Sequence, residues 1–161
     1  MYDREVAERP SSDEIATWHK RFAVTCNNRA WELIERERRT PAEDHEMLHA
    51  AHASAWHWAR VGTELNEARA KMLLGMAHAL AGDGPLALRY ATASFNYFNE
   101  HPAPDWEQAF AHLALAAAAH AAGNRTLHAE HYPEAERLGR AIEGGEDRAV
   151  FMRAFAHVPS T

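Results

Sequence analysis

The sequence lacks most of the features that mark secreted, membrane-spanning or nucleic-acid-binding proteins. Its 161 residues include a single cysteine, Cys26, which excludes an intramolecular disulfide and is typical of a reducing compartment. The longest unbroken apolar run, residues 113–119, is far shorter than the roughly 20 residues needed to span a bilayer. Residues 1–5 are rich in charge and contain no apolar signal-peptide core. These absences predict a cytoplasmic protein that does not associate with membranes.

Positive charge is also scarce. With the histidines neutral, the formal net charge is −6, and the largest basic cluster is confined to residues 36–39. Phosphate backbones are bound by extended basic surfaces, so a nucleic-acid partner is not predicted. Apolar residues make up 47% of the chain and charged residues 25%, a balance typical of a globular domain. We therefore predict a flexible N-terminus at residues 1–10 and one folded domain at residues 11–158.

The signals for secondary structure are all helical. No segment shows the alternation of apolar and polar residues typical of a half-buried strand, whereas Ala, Leu, Glu and Arg are abundant. Ser11 and Glu14 form a capping box, and Thr40 and Glu43 form a second one with Pro41 at the first helical position. The pattern predicts an all-α fold of about seven helices, of which the first runs to about residue 38.

The predicted turns within helix hairpins recur along the chain. They fall near Thr40, Gly82 and Gly123, a spacing of about 41 residues that indicates a repeat of helix pairs. Small residues occupy matching positions before and after the last two turns, where they would let paired helices approach closely. These positions are Gly75 and Ala116 before the turns, and Ala87 and Ala129 after them.

Over residues 68–138 this pattern resembles the tetratricopeptide-repeat (TPR) superfamily, whose repeats place Leu-Gly or Leu-Ala in the first helix and Ala in the second. The chain is also similar to uncharacterised bacterial TPR-like proteins through the His-Ala-Ala-His-Ala-Ser segment at residues 49–54. The resemblance implies antiparallel hairpins stacked as a short right-handed solenoid. A solenoid needs its ends covered, and a last helix containing Phe151 and Phe155 is expected to act as the C-terminal cap.

In TPR-type solenoids, the first helix of each hairpin lines a concave surface that receives a peptide or a partner protein. The resemblance therefore implies a binding groove, in which Arg69 would bind a carboxylate through its fork of N–H donors. Met and aromatic side chains there would suit adaptable apolar contacts, although the same residues at helical spacing are also typical of a core. The residues expected to line the groove are Asn27, Asn28, Trp31, Arg69, Met72, Met76, Phe110 and His120.

The second predicted helix carries an unusual stripe of histidines. His45, His49 and His52 follow i, i+4 and i+7 spacing and so share one face of the helix. His45, Glu46 and His49 also match the zincin pattern, in which two histidines bind zinc and the glutamate activates water. Glu67 on the next helix is a candidate third ligand. The alternative is that histidines pack and hydrogen-bond between helices, as expected for His78, His112 and His120.

Covalent catalysis has little support, because Cys26 lacks a neighbouring histidine in sequence and the chain has no glycine-rich phosphate loop. No catalytic residue and no cofactor are predicted for the groove. We predict a non-enzymatic interaction module that binds a peptide or partner protein, with homodimerisation left open. The alternative is a metal-binding protein or metal-dependent hydrolase that holds a divalent metal on the histidine stripe. A structural subunit of a larger assembly is a third interpretation.

Overall fold

The computed structural model describes residues 9–160, and within them the chain forms seven helices and no strand. The prediction of an all-α fold is confirmed. Of the N-terminus predicted to be flexible, residues 1–8 lie outside the described residues. No helix in residues 9–160 combines the length and the apolar character needed to cross a membrane. The helices are α1 (Ser12–Ile34), α2 (Pro41–Val61), α3 (Glu64–Leu80), α4 (Gly84–Glu100), α5 (Asp105–Ala121), α6 (Arg125–Ala141) and α7 (Gly145–Phe155).

Local hydrogen bonds determine where α1 begins and ends. The Ser11 hydroxyl accepts a hydrogen bond from the Glu14 N–H, and the Glu14 carboxylate accepts one from the Ser11 N–H at 2.8 Å, which completes a capping box. α1 ends at Ile34 rather than near residue 38. The Arg39 guanidinium donates to the Leu33 carbonyl at 3.2 Å and also bonds the Ile34 carbonyl, so it satisfies acceptors that a longer helix would otherwise use.

The helices form three antiparallel hairpins, α1–α2, α3–α4 and α5–α6, stacked side by side. The first helices of successive hairpins adjoin, because α1 packs on α3 and α3 packs on α5. α7 then covers the end of the stack by packing on α5 and α6. The predicted order of stacked hairpins with a C-terminal capping helix is confirmed, while the handedness of the stack stays a prediction.

Glycines make the tight connections and the closest helix contacts. Gly82 and Gly123 end α3 and α5 with φ of 83° and 70°, a left-handed conformation that favours glycine. Gly75 lies where α3 crosses α4. A Cβ atom at Gly75 would lie 2.9 Å from the Cβ of Ala91 and 3.0 Å from its backbone nitrogen. The predicted role of Gly75 in close packing is therefore confirmed.

Candidate functional site

A groove of about 400 Å³ lies where α1, α3 and α5 adjoin, and α7 closes one side of it. Each of these helices contributes side chains, so the groove exists only because the hairpins stack in register and the last helix caps them. The groove is defined here by its lining residues, which are Asn27, Trp31, Glu35, Arg69, Met72, Trp106, Phe110, Asp147 and Val150.

Five of the residues predicted for the groove line it: Asn27, Trp31, Arg69, Met72 and Phe110. They come from three different helices and are separated by up to about half the chain in sequence. Their convergence follows from the adjoining first helices of the hairpins. The structure therefore brings these five side chains together in one groove, and binding at that groove stays a prediction.

The other three predicted residues lie elsewhere. Asn28 is exposed and does not line the groove, although its Oδ1 accepts a hydrogen bond from Asn27 Nδ2 at 3.2 Å. Met76 is fully buried in the core, one turn beyond Met72 along α3. His120 is exposed at the far end of α5 and lines a different cavity with His128 of α6.

Arg69 is held in place by a buried carboxylate. Its Nε–H donates to Glu107 Oε1 at 2.5 Å, and Glu107 is only 1% exposed. The Arg69 guanidinium also lies 5.4 Å from the ring centroid of Trp106, within cation–π range. This pair links α3 to α5 across the floor of the groove. Sequence reasoning missed Glu107 and Trp106, because nothing in the local pattern shows that they face Arg69.

Aromatic rings form the apolar walls. Trp31 and Phe110 meet edge to face with centroids 5.3 Å apart, and Phe110 contacts Trp106 at 6.4 Å. Behind them, Phe110 packs on the buried ring of Phe151 at 5.1 Å, so the wall is braced by α7. Rings fixed by such contacts present a preformed apolar surface and lose little conformational entropy when a ligand binds.

The rim of the groove carries carboxylates from α1 and α7. Glu35 accepts a hydrogen bond from Arg153 Nε at 2.9 Å, which ties the end of α1 to α7. Asp147 lies in the first turn of α7 and also lines the groove. Since Glu107 offsets the charge of Arg69 and Arg153 offsets that of Glu35, the charge of Asp147 gives the groove a net negative balance.

The titratable side chains that line the groove are Glu35, Arg69 and Asp147, and its described lining contains no His, Cys or Ser. The lone thiol, Cys26, is partly buried, and burial raises its pKa, which disfavours the reactive thiolate.

The histidine stripe on α2 is divided by the fold. His52 meets His78 of α3 with 2.9 Å between their Nε2 atoms, and His78 stacks on Tyr90 of α4 at 5.7 Å. His45 and His49 are exposed. In residues 9–160 no three His, Cys, Asp or Glu side chains are grouped so that they could hold a metal ion. Metal binding by His45, His49 and His52 therefore stays a prediction. The one histidine contact that the described part of the chain shows for these three residues is that between His52 and His78.

Histidine pairs between helices recur elsewhere in the stack. His112 of α5 and His131 of α6 place their Nδ1 atoms 2.9 Å apart, and His19 and His57 join α1 to α2 at 2.8 Å. Burial lowers the pKa of His78, His112 and His131, which favours the neutral rings that such hydrogen bonds require. The expectation that His78 and His112 pack between helices is confirmed.

Comparisons of the chain with protein-family models, with curated proteins and with solved structures find no match. The similarity to the TPR superfamily is therefore a resemblance in sequence pattern.

Proposed function

We propose that the groove binds a segment of a partner protein that inserts one large apolar side chain between the aromatic walls and places a basic residue at the acidic rim. The observation that supports this most directly is the preformed, aromatic-lined groove with Arg69 held at its floor. The proposal describes a non-enzymatic interaction module, in line with the function predicted from sequence.

The size and walls of the groove suit an apolar anchor. A volume of about 400 Å³ is at the small end of the range for ligand pockets, roughly 300–1,000 Å³, so one large side chain with some flanking backbone would fill it. Trp31, Met72 and Phe110 come from the first helices of all three hairpins and would surround that side chain. Burying a Leu, Met or Phe side chain contributes about 1.5–3 kcal/mol, which is typical of a hot-spot contact.

Polar groups in the groove suit a peptide backbone. Only the Nε–H of Arg69 is used by Glu107, and within residues 9–160 its terminal N–H groups form no hydrogen bond. They are available to carbonyl oxygens of a bound segment. The Asn27 side chain lines the same groove and can both donate to and accept from an extended backbone.

The charge at the rim of the groove would favour some apolar partner segments over others. Arg69 is neutralised by Glu107, whereas Asp147 at the rim is not engaged in an ion pair within the described residues. A Lys or Arg beside the anchor would meet this carboxylate, and an acidic neighbour would be repelled. Charge complementarity at a rim acts mainly on partner choice and association rate.

The test is selection from a phage-displayed library of random peptides on the full-length protein, followed by affinity measurement of the selected peptides by calorimetry. Asn27→Trp places an indole in the groove, and Asn28→Trp adds the same group one residue away on the exposed face. Both variants are checked for wild-type melting temperature and helicity.

We expect enriched peptides that share an aromatic or long aliphatic residue next to Lys or Arg. Their affinity should fall by about ten-fold or more on Asn27→Trp and stay within about two-fold on Asn28→Trp. Asp147→Lys should reverse the preference for the basic residue. Equal binding to both tryptophan variants would place the site elsewhere, and a selection without a shared motif would refute a peptide-binding role.

A further inference from the structure

The two ends of the hairpin stack differ in whether a further helix covers them. At the C-terminal end, α7 buries Phe151 and Phe155 against α5 and α6. At the N-terminal end, no described helix covers the outer face of the α1–α2 hairpin. Of the large hydrophobic residues that are exposed in the described chain, all but Val150 lie on this first hairpin: Ile15, Trp18, Phe22, Val24 and Trp56.

Four of these residues form one continuous surface, called here the outer strip and made of Ile15, Trp18, Phe22 and Trp56. The three on α1 follow the alternating three- and four-residue spacing of a coiled-coil seam, so they share one face of the helix. α2 adds Trp56 beside them, since the Trp56 ring lies 5.3 Å from that of His19 and Phe22 lies 5.4 Å from His57.

The four residues of the strip are uncharged, and the one guanidinium that the described residues place over them is that of Arg60, 3.3 Å from the Trp56 ring centroid at the edge of the strip. On α1 the same spacing continues to Ser11 before the strip and to Thr25 after it, and both side chains are uncharged. The next position along α1 is Arg29, which is paired with Glu46 at 2.7 Å. Apart from Arg60 at its edge, the strip offers apolar side chains, so it is complementary to another apolar helix face.

The exposed area matches half of a standard interface. Trp18, Phe22 and Trp56 are 48%, 53% and 51% exposed, and Ile15 is 41% exposed. With about 150–250 Å² for a large aromatic side chain, the three rings alone expose roughly 230–380 Å². A stable interface buries about 800 Å² per partner, of which a little over half is apolar. The outer strip therefore supplies about half or more of the apolar area that one copy would contribute.

We propose that a second copy of this chain covers the outer strip in a two-fold symmetric dimer, with α1 packed antiparallel on α1 of the other copy. A two-fold axis passing between Trp18 and Phe22 places Trp18 of each copy against Phe22 of the other. Each strip then buries the apolar side chains of the other. The dimer completes the uncapped end of the stack and leaves the groove, which is lined from the opposite side of α1, open on both copies.

The test is sedimentation velocity of the untagged full-length chain from about 1 to 100 μM, with the mass checked by light scattering. The variants are Phe22→Glu and Trp18→Glu. The matched control is Val24→Glu, because Val24 is 43% exposed on the same helix but lies about 200° around it from Phe22. Circular dichroism establishes that each variant is folded, and Ile15→Glu, at the edge of the strip, replaces any that is not.

We expect a species of twice the 18.1 kDa chain mass for the wild type and for Val24→Glu. The dissociation constant should rise at least about 30-fold for folded Phe22→Glu or Trp18→Glu. A wild type that stays monomeric up to 100 μM overturns the proposal and leaves the strip to a different partner. Dimers that persist in both folded strip variants, or that are lost equally in Val24→Glu, also overturn it.

Discussion

The ion pair at the floor of the groove leads to a prediction about stability that any binding study must take into account. Glu107 is buried on α5, and the only hydrogen-bond partner of its carboxylate in residues 9–160 is Arg69 of α3. Replacing Arg69 by Met removes that partner and leaves a carboxylate in a site with little access to water. The protein must then bury an uncompensated charge, which is costly in a site of low polarity.

The cost can be bounded from the exposure of the two partners. Breaking a buried pair from one side costs about 3–5 kcal/mol. The Arg69 side chain is 39% exposed, so water already screens part of the attraction, and we expect about 2–3 kcal/mol for Arg69→Met. In a chain of this length, that loss lowers the melting temperature by roughly 5–10 °C. The double variant Arg69→Met/Glu107→Met removes the buried charge as well, and should recover to within about 1 kcal/mol of wild type.

The assay is a double-mutant cycle measured by urea unfolding, with Arg29→Met as the control. Arg29 also pairs with a glutamate, Glu46, but that pair is solvent-exposed and its loss should change stability little. A coupling energy near zero, or a double variant less stable than either single one, would refute the reasoning. A charge reversal at Arg69 would disturb folding and binding together, so the Asn27 and Asn28 variants are the cleaner probes of the groove.

Three further outcomes follow from the packing. Gly75→Ala should destabilise the protein by about 1–3 kcal/mol in urea unfolding despite the better helix propensity of alanine, whereas Gly145→Ala, where a Cβ meets nothing within 4 Å, should not. Lowering the pH from 7.5 to 5.5 should reduce the urea midpoint, because burial lowers the pKa of His78 and His131. Below pH about 6.5 the unfolded chain then binds protons that the folded chain does not, which favours unfolding. The variant His131→Gln should show a weaker dependence of the midpoint on pH. Ser54→Ala removes a buried 2.9 Å hydrogen bond from α2 to a carbonyl of α1, and should lower the unfolding free energy by about 1 kcal/mol in thermal melts.

Local rules account for what could be predicted about the fold. Capping boxes such as Ser11 with Glu14 act within one helical turn, and the left-handed Gly82 and Gly123 act within one connection, so both are readable from the sequence. α1 ends at Ile34 and not near residue 38, because the Arg39 side chain folds back and donates hydrogen bonds to carbonyls of α1. That contact is made from beyond the helix and has no sequence periodicity.

The groove was predictable only in part, for a related reason. A resemblance to stacked hairpins identifies which helices line the surface, and this was enough to find Asn27, Trp31 and Phe110. It does not determine the rotation of each helix closely enough to separate Asn28 from Asn27, or Met76 from Met72. In a chain this rich in alanine, several faces of a helix are equally able to pack, so the buried face is decided by contacts such as Ala91 on Gly75.

The last helix closes the stack and also lines the groove, and this double role has a thermodynamic consequence if the groove binds a partner as proposed. Asp147 and Val150 line the groove from the same short segment whose Phe151 packs against Phe110 from behind. Occupancy of the groove would therefore slow amide exchange along α7, far more than along α2 or α4, because the free energy of binding is shared with the docking of this segment. Exchanging α7 for one of different composition could redirect specificity while leaving the three hairpins unchanged.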